Sequence, residues 1–256
     1  MVNNRTLMDS KIVFVSSSIA NWEDKILKKY QAKKYNNDTE KDVIFFGMYS
    51  FNDYKRVFKH KGKATIVWCG ADILYLRQWK NLWRKLISLK KVKHICENEV
   101  QQEALKRYGI FADIKYNFFG DTKDFPVSFK PSKKPQVFMH CPKGREREYG
   151  LHIVGMIAKK VPEITFHVYQ GYTSEEEFNE EIKGFHAGIR LNQEDGFSEI
   201  LAKSILLGQY PISFIKYPHM DVARSSYELL DHLKELKNKK VPNPARDWWV
   251  KELNKI

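Results

Sequence analysis

Residues 189–213 read IRLNQEDGFSEILAKSILLGQYPIS. An apolar strand runs into an acidic turn ending in Gly196. A helix with the period FSEILAKSILLG follows and closes at Gly208. Pro211 then leads into a second apolar strand. This is a strand–helix–strand unit, which implies parallel strands with a helix packed across them. Ligands of such sheets bind beyond the carboxyl ends of the strands. Gly196 allows a tight turn. The backbone N–H groups opening the helix at Phe197, Ser198 and Glu199, with the helix dipole, suit an anion such as a diphosphate. Asp195, just before them, suits sugar hydroxyls.

The same alternation extends in both directions. Upstream, KIVFVSSS, DVIFFG, TIVWCG, KHICEN and ADIKYNFF read as strands, with helices over about 21–30, 74–89 and 100–109 among the connections. Residues 121–136 hold three prolines and little periodicity and read as a linker. The pattern then restarts with QVFMHC, ITFHVYQ, HAGIRLN and YPISFI, each followed by a helical stretch. The expected architecture is α/β, with two facing Rossmann-like domains, each a mainly parallel sheet flanked by helices. The expected boundaries are 1–122, a linker at 123–136, a second domain at 137–240, and a C-terminal helix at 241–256 that packs back on the first domain.

The stretch 189–213 resembles the donor-binding signature of GT-B retaining glycosyltransferases of the GT4 type (glycosyl transferases group 1). Asp195, Gly196, Phe197 and Ser198 fall on the first four positions of that signature, and Gly208, Tyr210 and Pro211 resemble its end. The resemblance implies transfer of a sugar from a nucleotide-diphosphate donor to an acceptor hydroxyl, with retention of configuration. Eight residues after Asp195 the family carries a Glu that holds the nucleotide ribose; here that position is Lys203. Glu199, one turn earlier on the same helix face, is the candidate substitute, and Lys203 the candidate phosphate contact.

Two further loops carry candidate donor contacts. HCPKGREREYG (140–150) opens a strand into Lys143, Arg145 and Arg147, cations suited to a diphosphate. VYQGYTSEEEF (168–178) resembles the family's base-recognition loop, making Tyr169, Gln170 and Gly171 candidates; Ser174 and Glu177 also read as a capping box. In the first half, TIVWCGADIL (65–74) places Asp72 after a strand, as a general base, an acceptor contact or a helix N-cap. Ser16, Ser17 and Ser18 follow the first strand on the expected acceptor side. The expected catalytic residues are Asp72 and Asp195. Trp79, Leu82, Trp83 and Leu86 form an apolar stripe edged by Arg77, Lys80, Arg84, Lys85 and Lys91. The stripe is suited to a core face or to an anionic membrane surface.

The chain has 256 residues, is 43% hydrophobic and carries a net charge of +13. The charge is uneven: 23 Lys and Arg against 12 Asp and Glu over residues 1–120, leaving 21 against 19 in the rest. Such a first half attracts anionic partners. No apolar run is long enough for a transmembrane helix, and the N-terminus reads as no signal peptide. Three cysteines without paired spacing argue against a disulfide framework or zinc site and fit a cytoplasmic protein, one whose basic surface also suits a membrane's inner face. The absence of an Asp-x-Asp triplet favours a metal-independent reaction. No cofactor is expected beyond the nucleotide sugar, which is a substrate. The expected acceptor is lipid-linked or a saccharide. Rival functions are a DNA-base glycosyltransferase, a non-catalytic sugar-nucleotide or nucleic-acid binding module, and a sugar-nucleotide epimerase.

Overall fold

The computed structural model describes residues 11–37, 39–89, 91–171 and 174–255. Residues 1–10, on which part of the signal-peptide reading rests, lie outside them, as do the side chains of Arg77 and Lys80. The chain divides into two compact units. One holds the residues up to Glu97 together with Gln101–Lys115, and the other holds Asn98–Val100 and the chain from Tyr116 onward.

In the first unit, β1 (Ile12–Val15) leads through a 3-10 segment (Ser17–Trp22) to α1 (Glu23–Tyr30), then β2 (Lys33–Lys34), β3 (Val43–Phe46), α2 (Phe51–Lys59) and β4 (Ala64–Val67). A 3-10 turn (Ala71–Leu74) precedes α3 (Tyr75–Gln78) and α4 (Lys80–Ile87). β5 (Val92–Cys96), α5 (Glu99–Lys106) and β6 (Ala112–Ile114) follow. All strands pair in parallel, in the order β2-β1-β3-β4-β5-β6. Val13, Phe45, Ile66 and Trp68 are fully buried, because β-branched and aromatic residues here face helices on a covered parallel sheet. α2 starts on a capping box in which Ser50 and Asp53 each take the other's backbone N–H.

The single helix expected over 74–89 is two. Trp79 (φ −116°, ψ 64°) leaves helical geometry and separates α3 from α4. Its ring stacks on Tyr75 and meets Tyr54 edge-on, so tertiary packing overrides the helical pattern. Leu86 is buried, and Trp79, Leu82 and Trp83 pack against the first unit's core. The apolar stripe is thus a core face. No helix among the described residues is long and apolar enough to cross a membrane.

The second unit contains β7 (Gln136–His140), α6 (Leu151–Ala158), β8 (Thr165–Tyr169), α7 (Glu175–Glu181), β9 (Ala187–Arg190), α8 (Glu199–Leu206), β10 (Ile212–Ser213), β11 (Asp221–Val222), α9 (Ser226–Glu235) and α10 (Arg246–Leu253). Its parallel sheet has the order β11-β10-β9-β7-β8. The order reverses direction between β7 and β9, which makes their carboxyl ends the switch point. α8 is the central helix: seven of its eight residues are buried, and Ser204 on it accepts a 2.8 Å bond from Gly188 of β9.

Two boundaries differ from expectation. The segment 123–136 is no free linker. Phe125 and Phe129 are buried in the second unit, and the amides of Ser128 and Phe129 donate to Leu207. The helix α10, expected to cross to the first domain, belongs to the second unit and packs on α8. Its Trp249 stacks on Phe197 at 4.9 Å and 4°, and donates its indole N–H to Pro218. Aromatic residues scattered through the sequence supply this docking surface, and only the three-dimensional structure brings them together.

Candidate functional site

β7 and β9 end side by side, and the side chains leaving those ends build the site. Arg190, the last residue of β9, has an 11% exposed side chain. Its guanidinium donates to Asp195 through Nε at 2.7 Å and also through Nη2, and lies 4.1 Å from the centre of the Tyr149 ring. Burial opposes its charge. The Asp195 carboxylate and Tyr149 outweigh that and hold its pKa above the ordinary value.

Tyr149 has a second cation near its ring, the Arg145 guanidinium at 4.9 Å. Arg145 also donates to Glu148, Nε to Oε2 at 2.8 Å, and Glu148 accepts from Asn192 at 3.1 Å. The loop after β7 is thereby tied to the loop after β9. Gly150 makes this approach possible: its φ is +75°, and a Cβ there would lie 2.8 Å from Leu191. Glu146 adds a link to the loop after β8, accepting from Gly144 at 2.9 Å and from Gln170 at 3.4 Å. His140, the last residue of β7, is held below its ordinary pKa by burial and by the charges of Arg190 and Lys203.

The turn into α8 is more engaged than expected. Gly196, Phe197 and Ser198 are buried, and Gly196 is not among the glycines at positive φ. The Gly196 carbonyl accepts from the Tyr217 hydroxyl at 2.7 Å. Phe197 is a core residue stacked on Trp249, so its side chain is not available to a ligand. The Ser198 hydroxyl caps the helix by accepting from Ile200 at 3.3 Å. Asp195 is occupied by Arg190 and by the Gly196 amide at 2.9 Å.

Lys203 is not a phosphate contact in this arrangement. Its side chain is 3% exposed, and Nζ lies 2.9 Å from Glu175 and 3.5 Å from Glu199. The Phe178 and Phe125 rings lie 5.4 and 5.9 Å away. A buried ammonium with two carboxylates has replaced the expected single carboxylate at this position.

Lys143 and Arg147 are exposed, and neither makes an ion pair with a described residue. Tyr169 is half-buried with its ring edge-on to Phe178, and its carbonyl accepts from the Cys141 amide at 2.8 Å. Gln170 and Gly171 are exposed; Tyr172 and Thr173 lie outside the described residues. The structure therefore assembles Arg145, Asp195 and Glu199 with Arg190, Tyr149 and His140. Arg190 and Tyr149 were missed as site residues. The usable signal was a charged residue ending an otherwise buried strand.

The expected acceptor residues belong to the first unit. Asp72 has no solvent exposure, and its Oδ2 accepts from the amides of Met48 and Cys69 at 3.1 Å each. It neither caps a helix nor reaches solvent; it joins the loops after β3 and β4. Burial raises its pKa to about 7. Ser16 is also buried and donates to Asp53 at 2.9 Å, which makes it structural. Ser17 and Ser18 are exposed at the start of the 3-10 segment.

No family model and no curated protein matches the chain. Solved structures do. HepE of Anabaena, in complex with UDP and glucose, superposes with a TM-score of 0.58 at 10% identity, over 95% of this chain and 95% of that one. A TarM variant of S. aureus, in complex with fondaparinux, alpha-GlcNAc-glycerol and UDP, gives 0.55 at 12% identity, over 83% of this chain and 50% of that one. The GtfA/B complex gives 0.50 at 13%, over 91% and 56%.

The fold is GT-B-like.

This GT-B-like chain spans about half the length of the TarM and GtfA/B chains, and nearly all of HepE. At such identities the likeness concerns the fold alone. The site residues stand on the geometry of this chain.

Proposed function

We propose that this protein is a glycosyltransferase that moves a sugar from a nucleoside-diphosphate donor to an acceptor hydroxyl. The observation that carries this is the Arg190 guanidinium at the switch point of a GT-B-like second unit, flanked by Arg145 and the opening of α8. HepE and TarM are both solved with UDP, which makes UDP-sugars the first donors to test.

In this mechanism the donor diphosphate lies against Arg190 and Arg145, with exposed Lys143 and Arg147 at its rim. Transfer breaks the bond between the sugar's anomeric carbon and a phosphate oxygen, and forms one to the acceptor oxygen. The acceptor proton leaves to the departing phosphate. Charge grows on that phosphate as the bond breaks, and fixed cations stabilise it without reorganising. They supply the positive charge a divalent ion would otherwise bring, in keeping with a metal-independent reaction. The exposed Gln170 and Gly171 face the base, and Glu199, held by Lys203, faces the nucleotide's hydroxyls. Retention of configuration follows from the resemblance carried by residues 195–211. The free thiols Cys69, Cys96 and Cys141 fit a reducing, cytoplasmic setting.

The test is a donor panel. UDP-sugars and other nucleotide sugars are incubated with the protein in EDTA, and release of nucleoside diphosphate is followed with and without added saccharides. Release that needs a saccharide, with the anomer of the product read by NMR, supports retaining transfer. Conversion of the donor sugar without any acceptor would support an epimerase instead.

A further inference from the structure

The first unit contains a groove that adjoins Ser17, one of the expected acceptor-side residues. Two adjoining cavities of about 530 and 440 Å³ lie beside α2 and share Tyr35, Asn37, Asn52 and Arg56 as lining. Each is the size of an ordinary small-molecule site. The groove lies where the sheet ends in β2, a two-residue strand with both residues exposed. All of its lining comes from the first unit.

The larger cavity is one-sided in its chemistry, whereas the carboxylates of Glu23 and Asp53 line the smaller one. Asn52, Lys55, Arg56 and Lys59 recur at i, i+3, i+4 and i+7, one face of α2, while Asp53, Tyr54 and Val57 are buried. Among the described residues, the larger cavity is lined by three cations and no carboxylate. Lys55 and Lys59 are exposed, and neither makes an ion pair with a described residue. Arg56 is preorganised: Nη1 donates to Asn37 at 2.7 Å, and the guanidinium lies 5.3 Å from the Phe14 ring. Phe14 and Tyr35 meet edge-on at 6.1 Å beneath it. The floor is apolar, the walls carry the amides of Asn37 and Asn52, and the rim is cationic.

We infer that this groove binds an anionic saccharide, one bearing phosphate, sulfate or carboxylate groups. Side-chain amides and Thr39 suit hydroxyls, and a guanidinium held by Asn37 suits an oxyanion. A nucleic acid fits less well, because Tyr35 is only 9% exposed and offers no open ring on which a base could stack. Identifying the groove as the acceptor site rests on the transferase function proposed above; binding of the saccharide does not.

The experiment is calorimetric titration of the full chain with sulfated dextran oligosaccharides. Neutral dextran of equal length and a single-stranded oligonucleotide of equal charge serve as comparisons. Three variants are titrated: Lys55→Glu with Lys59→Glu, Asn37→Asp, and Lys234→Glu with Lys237→Glu as a charge-matched change on the second unit. The groove binding predicts that sulfated dextran binds best. It also predicts that both groove variants lose about tenfold or more in affinity, a step of about 1.4 kcal/mol, while the charge-matched variant stays within about twofold of wild type. Equal losses in all variants would mean a diffuse field and overturn the assignment. An oligonucleotide bound as tightly, with the same losses, would overturn the saccharide class. UDP affinity measured on the same variants is expected to be unchanged. Absence of UDP binding in wild type would count against the donor site and leave the groove assignment standing.

Discussion

Lys203 Nζ lies 2.9 Å from a carboxylate oxygen of Glu175, although the lysine side chain is 3% exposed. The contact links the start of α7 to the middle of α8, and the same ammonium faces Glu199 at 3.5 Å. A buried charge is tolerated when paired, and removing one partner leaves the others uncompensated. Lys203→Met is expected to lower unfolding stability by about 2–3 kcal/mol in urea titrations. Lys203→Glu, which restores the residue type of the resembling family, is expected to cost more by gathering three carboxylates. Adding Glu175→Lys should recover a large part of that loss. Equal stability of the single and double variants would show that the pair is not coupled.

The stack of Trp249 on Phe197 makes the C-terminal helix part of the second unit's core. Trp249→Ala is expected to cost about 3–5 kcal/mol, the range for emptying a large aromatic site. Truncation at Val241 should cost at least as much. Chemical denaturation checks both, and wild-type midpoints would place α10 outside the core.

How far the sequence discloses this arrangement depends on the residue. Continuous apolar runs such as Ile12–Val15 and Val43–Phe46 announce buried parallel strands, because both faces are covered. The strands β2 and β11 carry no such signal: Lys33–Lys34 and Asp221–Val222 are edge pairs without a buried apolar face. The break at Trp79 comes from stacking on Tyr75 and Tyr54, contacts that periodicity does not encode. In the site, Arg145 and Asp195 are visible from their loops. Arg190 is visible only as a strand-ending cation, because its partner Tyr149 is far away in sequence and meets it through folding. Asp72 looks like a site residue from its loop position, and only its zero exposure shows otherwise.

Two buried groups in the first unit give opposite pH dependences. His94 is stacked on Trp68, and burial lowers its pKa from 6.5 to about 4. Between those values the unfolded chain binds more protons, so its stabilising effect is complete above pH 6.5 and fades as pH falls. The pKa of Asp72 is raised from 3.8 to about 7, so there the folded chain binds more protons. Its stabilising effect is complete below pH 3.8 and fades as pH rises toward 7. Each effect amounts to roughly 3–4 kcal/mol across its window. His94→Gln should therefore leave a protein that loses stability from pH 4 to 7 more steeply than wild type. Asp72→Asn should shift the slope the opposite way. Urea midpoints at several pH values read both, and parallel pH profiles for the two variants would contradict the assignments.

Ser16 holds Asp53, the third residue of α2, whose carboxylate completes the capping box with Ser50, at 2.9 Å. Ser16→Ala is expected to cost about 1–2 kcal/mol of stability, the penalty for leaving a buried acceptor with one partner fewer. Nucleotide affinity should be unchanged. A weaker nucleotide affinity in this variant would return Ser16 to the site.

The cationic pair at the ends of β7 and β9 is tested most directly by titrating UDP, in EDTA, into wild type and into Arg145→Ala with Arg190→Ala, after circular dichroism shows that both are folded. Wild type is expected to bind one equivalent, and the double variant to lose about a hundredfold or more in affinity, about 2.8 kcal/mol. Equal affinity in the two proteins, or no binding of UDP or any other nucleoside diphosphate by wild type, would contradict the proposed donor site.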